Sequence, residues 1–492
     1  MRDGDHPLNP SQPTPTPREL DRARGAADAL AERFGLPGNL VPYAPLRWRR
    51  PDRGDAGDGA VLHLEDFSAI PFLKDIVGVD EYQHRARVRA SEGQLFAAAT
   101  EPAEGYEDYC RDRLGLGRVT FVHAPGGGTL SPAEACLDAD PLDRLVTAAK
   151  GAGAMTFHPY MGIDAVWRLG AEVRRRAGVP VSVLAPPPPV TWIANDKAAF
   201  GTLVRAVLGD DAWAECFDSA VPEQLAAHLL DLTDRHTQVG LKRLRCASAM
   251  GNRVFDGAHL RTLGTAGVEA AVREFLAATE WDGEEEVQAV AWLGTDCSPS
   301  TQLFIPPDGL GDPKVDGIYE QLLEGPEKVF LGSRPSTLPA EVHGRLANCS
   351  LRLATALQRL GYVGRCSFDF LLLGDPEKAP RLVLTECNGR WGGTSTPMTL
   401  VDRVTGGERP PYRAQDVLHP GLVGRSLAEV LGALGDEAFD ARSGRGRYLL
   451  YNVGPLRRFG KLDVIALGRT QGEAEDALEI DLPGRLGLSP VG

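Results

Sequence analysis

Between Leu384 and Gly393 the chain reads L-T-E-C-N-G-R-W-G-G. Glu386, Asn388 and Arg390 alternate at the end of an apolar run. Strand side chains repeat every second residue, so a carboxylate, an amide oxygen and a guanidinium share one face. Charge at that density inside a fold needs compensation. A divalent cation carrying a phosphorylated ligand supplies it, because hard cations take oxygen ligands and arginine pairs with phosphate.

The elements that must position this set lie close by. Cys366 to Leu373 is a second apolar run, broken only by Asp369, and the turn formers Gly374 to Pro380 join it to Arg381–Thr385 as a hairpin. If Leu373 pairs with Leu382, Asp369 stands directly opposite Glu386. Directly opposed like charges destabilise an antiparallel pair, and a cation between them reverses the sign. A slip of one residue would instead turn Asp369 to the other face as a solvated edge acid.

Two lysines are candidates for phosphate. Lys197 opens a helix in W-I-A-N-D-K, after an expected strand Val190–Ala194, with Asn195 or Asp196 as its cap. Lys242 lies on an expected strand that runs into Cys246-Ala-Ser-Ala-Met-Gly-Asn252, small residues whose backbone amides can approach phosphate oxygens. An ordinary hairpin turn on Gly251 and Asn252 explains the same residues. Gly454 to Leu462 imitates a P-loop but has one residue too many and no Ser or Thr after its lysine. Gly151-Ala-Gly-Ala-Met-Thr156 lacks the third glycine of a dinucleotide fingerprint and follows a helical segment. The acidic run Glu284–Glu286 reads as a solvated turn.

Alternating elements over residues 20–190 indicate an α/β domain with a mainly parallel sheet. They are a helix from Glu19 to Phe34, short strands at Leu40–Pro45, Ala60–Leu64, Gly117–His123 and Met155–His158, a helix started by Ser131 and another over Gly162–Ala177. A turn at Gly126–Gly128 ends the third of these strands. The four prolines Pro186–Pro189 mark a domain edge, and Gly406–Pro411 marks another. A helix at Ser426–Leu434 and strands at Arg447–Tyr451 and Lys461–Leu467 close the chain. The polar, proline-rich start reads as a disordered tail.

Composition narrows the class. With 53 Lys and Arg against 67 Asp and Glu, the net charge of −14 argues against a nucleic-acid binder, which shows a basic surface. No apolar run is long enough to span a bilayer. Eight cysteines without a C-x-x-C pair read as free thiols in a reducing cytoplasm, those of Cys366 and Cys387 in core strands. The ten histidines contain no H-E-x-x-H pattern.

Taken in order, N-D-K, a lysine before a small-residue loop, a D-F strand and E-x-N-x-R resemble the ATP-grasp superfamily over residues 190 to 405. Ser298-Pro-Ser-Thr-Gln302 with Pro307-Asp-Gly309, Gly361-Tyr-Val-Gly364, Tyr451-Asn-Val-Gly454 and Gly460-Lys-Leu-Asp463 are similar to the pheganomycin-type peptide ligases. That resemblance implies an α/β chain of four parts: a tail (1–19), a pre-ATP-grasp domain (20–189), an ATP-grasp domain of two α+β subdomains clasping ATP (190–410) and a small C-terminal domain (411–492). It implies ATP and Mg2+ as cofactors. Lys197 and Lys242 would contact the phosphates, with Ala247, Ser248, Gly251 and Asn252 in the loop over them. Asp369, Glu386 and Asn388 would hold magnesium, and Arg390 would meet the terminal or acyl phosphate, with Arg390 and Lys242 as the catalytic pair. Many relatives carry a Glu in the hinge, where this chain reads Val287-Gln-Ala-Val-Ala-Trp-Leu293. Backbone groups of Gln288, Ala289, Val290 and Ala291 would then hold adenine, and Asp296 stands in for the ribose partner.

The implied reaction is ligation of a small-molecule carboxylate to an amine through an acyl phosphate, releasing ADP. The acceptor would be an amino acid or peptide in natural-product biosynthesis. A non-peptide amine such as a diamine is the nearest alternative. A nucleotide-binding regulatory protein with a degenerate site is a more distant one, and AMP as product would point to an adenylating enzyme. No nucleic-acid or membrane partner is expected, and a homodimer stays open.

Overall fold

The computed structural model describes residues 14–48, 59–71, 76–126, 130–246 and 249–489. The first thirteen residues of the expected tail, most of the glycine turn at 126–128, and Ala247 and Ser248 lie outside them. Among the described residues the tail is shorter than expected. Thr16 and Glu19 form a reciprocal capping box with Pro17 in the first turn, so a helix already runs over Pro17–Arg33.

Five strands make a parallel sheet: β1 (Ala60–Leu64), β2 (Leu95–Ala98), β3 (Thr120–His123), β4 (Met155–Pro159) and β5 (Val181–Val183), in the order β3-β2-β1-β4-β5. Parallel strands are joined by crossovers that cover both faces, which is why β2 is buried at every position. The strand order reverses between β1 and β4. Ligand crevices open outside the carboxyl ends of strands at such a point, and there the chain places Phe67 and Tyr160. Leu40–Pro45 is not a strand. Pro42 and Pro45 set φ and remove two donors, and Val41–Leu46 winds into a 3₁₀ helix.

The proline run behaves differently from a linker. Pro188 and Pro189 start a helix, Pro188–Asn195, because the first turn has no acceptors for the N–H groups they lack. The strand expected over Val190–Ala194 is therefore helical. Val190 and Ile193 pack into one core and Trp192 against another, instead of into a sheet.

A four-stranded antiparallel sheet follows: β6 (Cys216–Ser219), β7 (Gln238–Arg243), β8 (Asn252–Asp256) and β9 (Val287–Ala291), ordered β6-β9-β7-β8. Helices Pro222–Thr233 and Gly257–Ala278 cover its apolar face. The remaining strands are β10 (Pro299–Ile305), β11 (Lys314–Glu324), β12 (Val329–Pro335), β13 (Gly364–Leu373), β14 (Arg381–Asn388), β15 (Tyr412–Leu418), β16 (Tyr448–Asn452) and β17 (Lys461–Leu467). They form one sheet ordered β14-β13-β10-β11-β12-β15-β17-β16. The strands after residue 411 thus continue the sheet begun before it.

Only two residue pairs, Gly332↔Gln415 and Ser333↔Ala414, join β12 to β15. A Cβ on Gly332 would lie 2.1 Å from the Ala414 carbonyl oxygen. Gly332→Val is expected to cost about 1–3 kcal/mol by overpacking and to expose the 406–411 turn. Thermal denaturation and limited proteolysis measure both, and an unchanged melting temperature would contradict the assigned role of this seam.

Candidate functional site

Lys197 owes its position to its neighbours. Asp196 Oδ1 accepts from the amides of Ala198 and Ala199 at 3.1 Å each, which starts the helix Lys197–Leu208. The Lys197 amide donates to the Leu244 carbonyl at 3.2 Å, tying the helix start to the end of β7. Its side chain is 4% exposed, and the ammonium lies 3.5 Å from both Glu386 and Cys246 Sγ. Burial opposes that charge, but Cys246 and Glu386 outweigh it and hold the pKa above the usual lysine value.

Lys242 faces Asn252 on β8 and Gln288 on β9, and its ammonium lies 4.8 Å from the centre of the Trp292 ring. Burial, with Lys197 as a like charge, pushes its pKa down to about 8. The turn between β7 and β8 is therefore both a hairpin and the lip of a charged site. Ala249 there has φ 59°, a conformation few alanines adopt.

The two acids do oppose each other, by a different route from the expected one. Leu373 pairs with Arg381 and Leu372 with Leu382, one residue out of the expected register. A bulge between Asp369 and Phe370 then leaves Thr385 as the extra residue and brings Asp369 opposite Glu386. Asp369 is 7% exposed. Ser300 Oγ donates to its Oδ1 at 2.6 Å, and Asn388 Nδ2 to its Oδ2 at 2.8 Å. Burial and the facing Glu386 push the Asp369 carboxyl up to about 7. Burial pushes Glu386 the same way, but Lys197, Lys242 and Arg390 together hold it below the usual value. The two carboxyls share one environment and differ in how directly they meet the cations.

Arg390 lies beyond the end of β14, and clamps on either side fix it. Asn195, a sequence candidate for a helix cap, accepts from the Gly389 amide at 3.0 Å and donates to the Gly389 carbonyl at 3.4 Å. A Cβ on Gly389 would lie 2.6 Å from the Asn195 amide nitrogen. Next door, the Trp391 amide donates to the Tyr160 carbonyl at 3.0 Å, and the Trp391 ring stacks against the guanidinium groups of Arg89 and Arg365. The strand end is thus fastened to the parallel-sheet domain. Arg390 Nη1 donates to Asn388 Oδ1, while its buried Nε has no hydrogen-bond partner among the described residues.

These groups border one cavity of about 480 Å³. Lys197, Lys242, Asn252, Gln288, Val290, Ala291, Asp369, Glu386, Asn388 and Arg390 all line it. Other expected residues stand elsewhere. Ala289 packs in the core of the four-stranded sheet, and Gly251 packs against Arg243 and Cys246. Asp296 is fully exposed, 3.9 Å from Lys328, and does not line the cavity, so the structure does not bring the expected ribose partner to the site. Glu285 leaves the expected solvated turn and pairs with the buried Arg243, whereas Glu284 and Glu286 are exposed as expected.

Sequence reading missed Ser300 and Gln302, both almost fully buried behind Asp369, although the S-P-S-T-Q segment carried them. It also missed Trp292 and Trp391, whose only signal was adjacency to chemical residues.

The donor set suits a hard divalent cation: two carboxylates and an amide oxygen, with Asp369 otherwise destabilised by its own burial. Among the described residues no group of three or more His, Cys, Asp or Glu side chains converges, so such a cation would complete its shell with amide, ligand or water oxygens. No described helix is long and apolar enough to cross a membrane.

No protein-family model matches the chain, and no curated protein matches it in sequence. Solved structures do match. N5-carboxyaminoimidazole synthase from Aspergillus clavatus, in complex with ADP and 5-aminoimidazole ribonucleotide, is similar over 87% of this chain and 99% of its own, at 13% identity and a TM-score of 0.50. The carboxyaminoimidazole ribonucleotide synthase of that organism complexed with ATP matches with the same values. Pyruvate carboxylase from Rhizobium etli matches 86% of this chain through 37% of its own, at 15% identity and a TM-score of 0.50. The fold is that of the ATP-grasp enzymes.

Proposed function

We propose that the chain is an ATP-dependent carboxylate–amine ligase, working on an amino acid or peptide in natural-product assembly. The observation that carries this reading is the Asp369–Glu386 pair bordered by Lys197, Lys242 and Arg390 in one cavity. Two opposed acids beside three cations form a site for a metal–polyphosphate, whose charges complete both sets. The fold's occurrence in proteins solved with ATP and with ADP supports the same reading.

In this scheme Asp369, Glu386 and Asn388 hold magnesium, which when bound neutralises phosphate charge. Lys197 and Lys242 meet the phosphates. A substrate carboxylate oxygen attacks the terminal phosphorus, the bond to the bridging oxygen breaks and ADP departs. The amine nitrogen then attacks the acyl carbon, the carbon–oxygen bond to phosphate breaks and the amine proton passes to solvent. The chain supplies positioning and charge rather than a nucleophile. A charge pair at about 4 Å contributes roughly 4 kcal/mol at an effective dielectric near 20, before desolvation.

A coupled ADP-release screen over amino-acid and peptide acceptors, with mass spectrometry of the products, tests the reading. An amide product with ADP supports it. AMP as product, or ATP binding without turnover on any acceptor, overturns it.

Lys242 adds a pH signature. Its pKa near 8 in the free protein rises when phosphates bind beside it, because anions favour the charged lysine. ATP binding above pH 8 therefore takes up about one proton, and affinity falls by up to about tenfold per pH unit there. Calorimetry at pH 8.5–9 in buffers of different ionisation enthalpy measures the uptake. Zero uptake would remove Lys242 from the phosphate contact.

A further inference from the structure

The eight-stranded sheet repeats its unusual device once. Asp416 on β15 pairs directly across from Asp463 on β17, as Asp369 does with Glu386, and this second acid pair borders the same cavity. Directly opposed carboxylates weaken an antiparallel pair wherever nothing cationic answers them. One of the two is answered: Lys461, two residues before Asp463 and on the same face, lies 2.8 Å from Asp416 and donates to Tyr82 at 2.6 Å.

Asp463 is answered only at longer range: Arg85, Lys461 and the facing Asn452 amide all favour its charged form, but neither cation forms a contact ion pair with it. It is 5% exposed, and among the described residues it makes no ion pair and its Oδ1 has no hydrogen-bond partner. The other nearby cation, Arg85, is engaged elsewhere, 2.9 Å from Glu65 and over the Tyr82 ring. Burial and the facing Asp416 push the Asp463 carboxyl up to about 7. A buried acid on a cavity wall without a contact ion-pair partner is stabilised by a cation that arrives there.

We infer that the Asp416–Asp463 end of the cavity is a subsite for the cationic nitrogen of a substrate, an ammonium group held at the opposite acid pair from the one beside the lysines. The inference rests on the ligase reading and narrows its substrate class to compounds carrying a protonated amino group. That group belongs either to the amine partner or to the molecule whose carboxylate is activated.

The test uses the full-length protein and calorimetric titration, with and without Mg·ATP. The probes are L-amino acids, their N-acetyl derivatives and the amines that lack the carboxylate. At least one ammonium-bearing probe is expected to bind at millimolar concentration, and its N-acetyl counterpart to fail. Asp463→Asn weakens that binding at least about tenfold, and Asp416→Asn weakens it in the same direction because Lys461 is then left unpaired. Mg·ATP affinity serves as the fold control in both variants. Binding of the simple amine identifies the amine partner as the source. Binding only of the amino acid identifies the carboxylate donor, and either result supports the subsite. No binding by any ammonium-bearing probe, equal binding of the N-acetyl forms, or wild-type affinity in both variants overturns it. Failure of the wild type to bind Mg·ATP sinks the ligase reading instead, and the ammonium titration is still read by itself.

Discussion

Glu386→Gln lowers ATP-dependent turnover by about a thousandfold, the scale seen when a preorganised charge is removed from a reacting site. Glu386 is the carboxylate that Lys197 approaches at 3.5 Å, and its acidity is held down by Lys197, Lys242 and Arg390 together. Without its charge, Lys197, at 4% exposure, keeps Cys246 as its close side-chain partner among the described residues. Lys197 and Lys242 then repel each other more strongly, and the opposed acid pair loses half its carboxylate charge. The fold is expected to survive, because the Glu386 side chain is 35% exposed towards the cavity and carries little packing. Steady-state ADP release and thermal denaturation on the same preparation separate the two effects. Turnover within about tenfold of wild type at an unchanged melting temperature would remove Glu386 from the chemistry.

Arg390→Lys is expected to lower kcat by about a hundredfold with little change in the KM for ATP. The substitution keeps the charge and removes the fork. Arg390 Nη1 is committed to Asn388, while its buried Nε has no hydrogen-bond partner among the described residues. A guanidinium can hold the strand end with one nitrogen and meet a transferring phosphoryl oxygen with another, and an ammonium cannot do both in that geometry. Because ATP is anchored chiefly by the two lysines in this scheme, the loss belongs in kcat. An unchanged kcat, or a loss confined to the KM for ATP, would move Arg390 from the reacting end of the cavity to a structural role.

The expected register of the β13–β14 hairpin shows how far local reading reached. Counting back from the turn paired Leu373 with Leu382, and the chain pairs Leu373 with Arg381. Asp369 still meets Glu386, because a one-residue bulge shifts the register back. Turn composition carries no signal for a bulge four residues away. Lys197 shows a similar limit. Asp196 makes its helix-opening place legible, whereas the element before it is a helix and not the expected strand, because prolines in a first helical turn look like a linker. Asp296 failed for a different reason: proximity in sequence to the hinge did not bring its side chain to the cavity.

Residue types and their spacing already carry the available chemistry: hard oxygen ligands, two lysines beside small or capping residues, and an arginine past a strand end. Those properties belong to side-chain type and to spacing within one element. The sequence also carries the alternation of elements that yields a parallel sheet followed by antiparallel ones. Tertiary packing alone brings residues of two sheets, the start of the Lys197 helix and loops beside the parallel sheet to one cavity, lets Asn195 and Tyr160 clamp the segment carrying Arg390, and sets Asp416 against Asp463. Each of these joins residues tens to hundreds of positions apart. Such adjacency is set by how buried faces pack and which strand edges pair, and neither is encoded in the local pattern of any one segment.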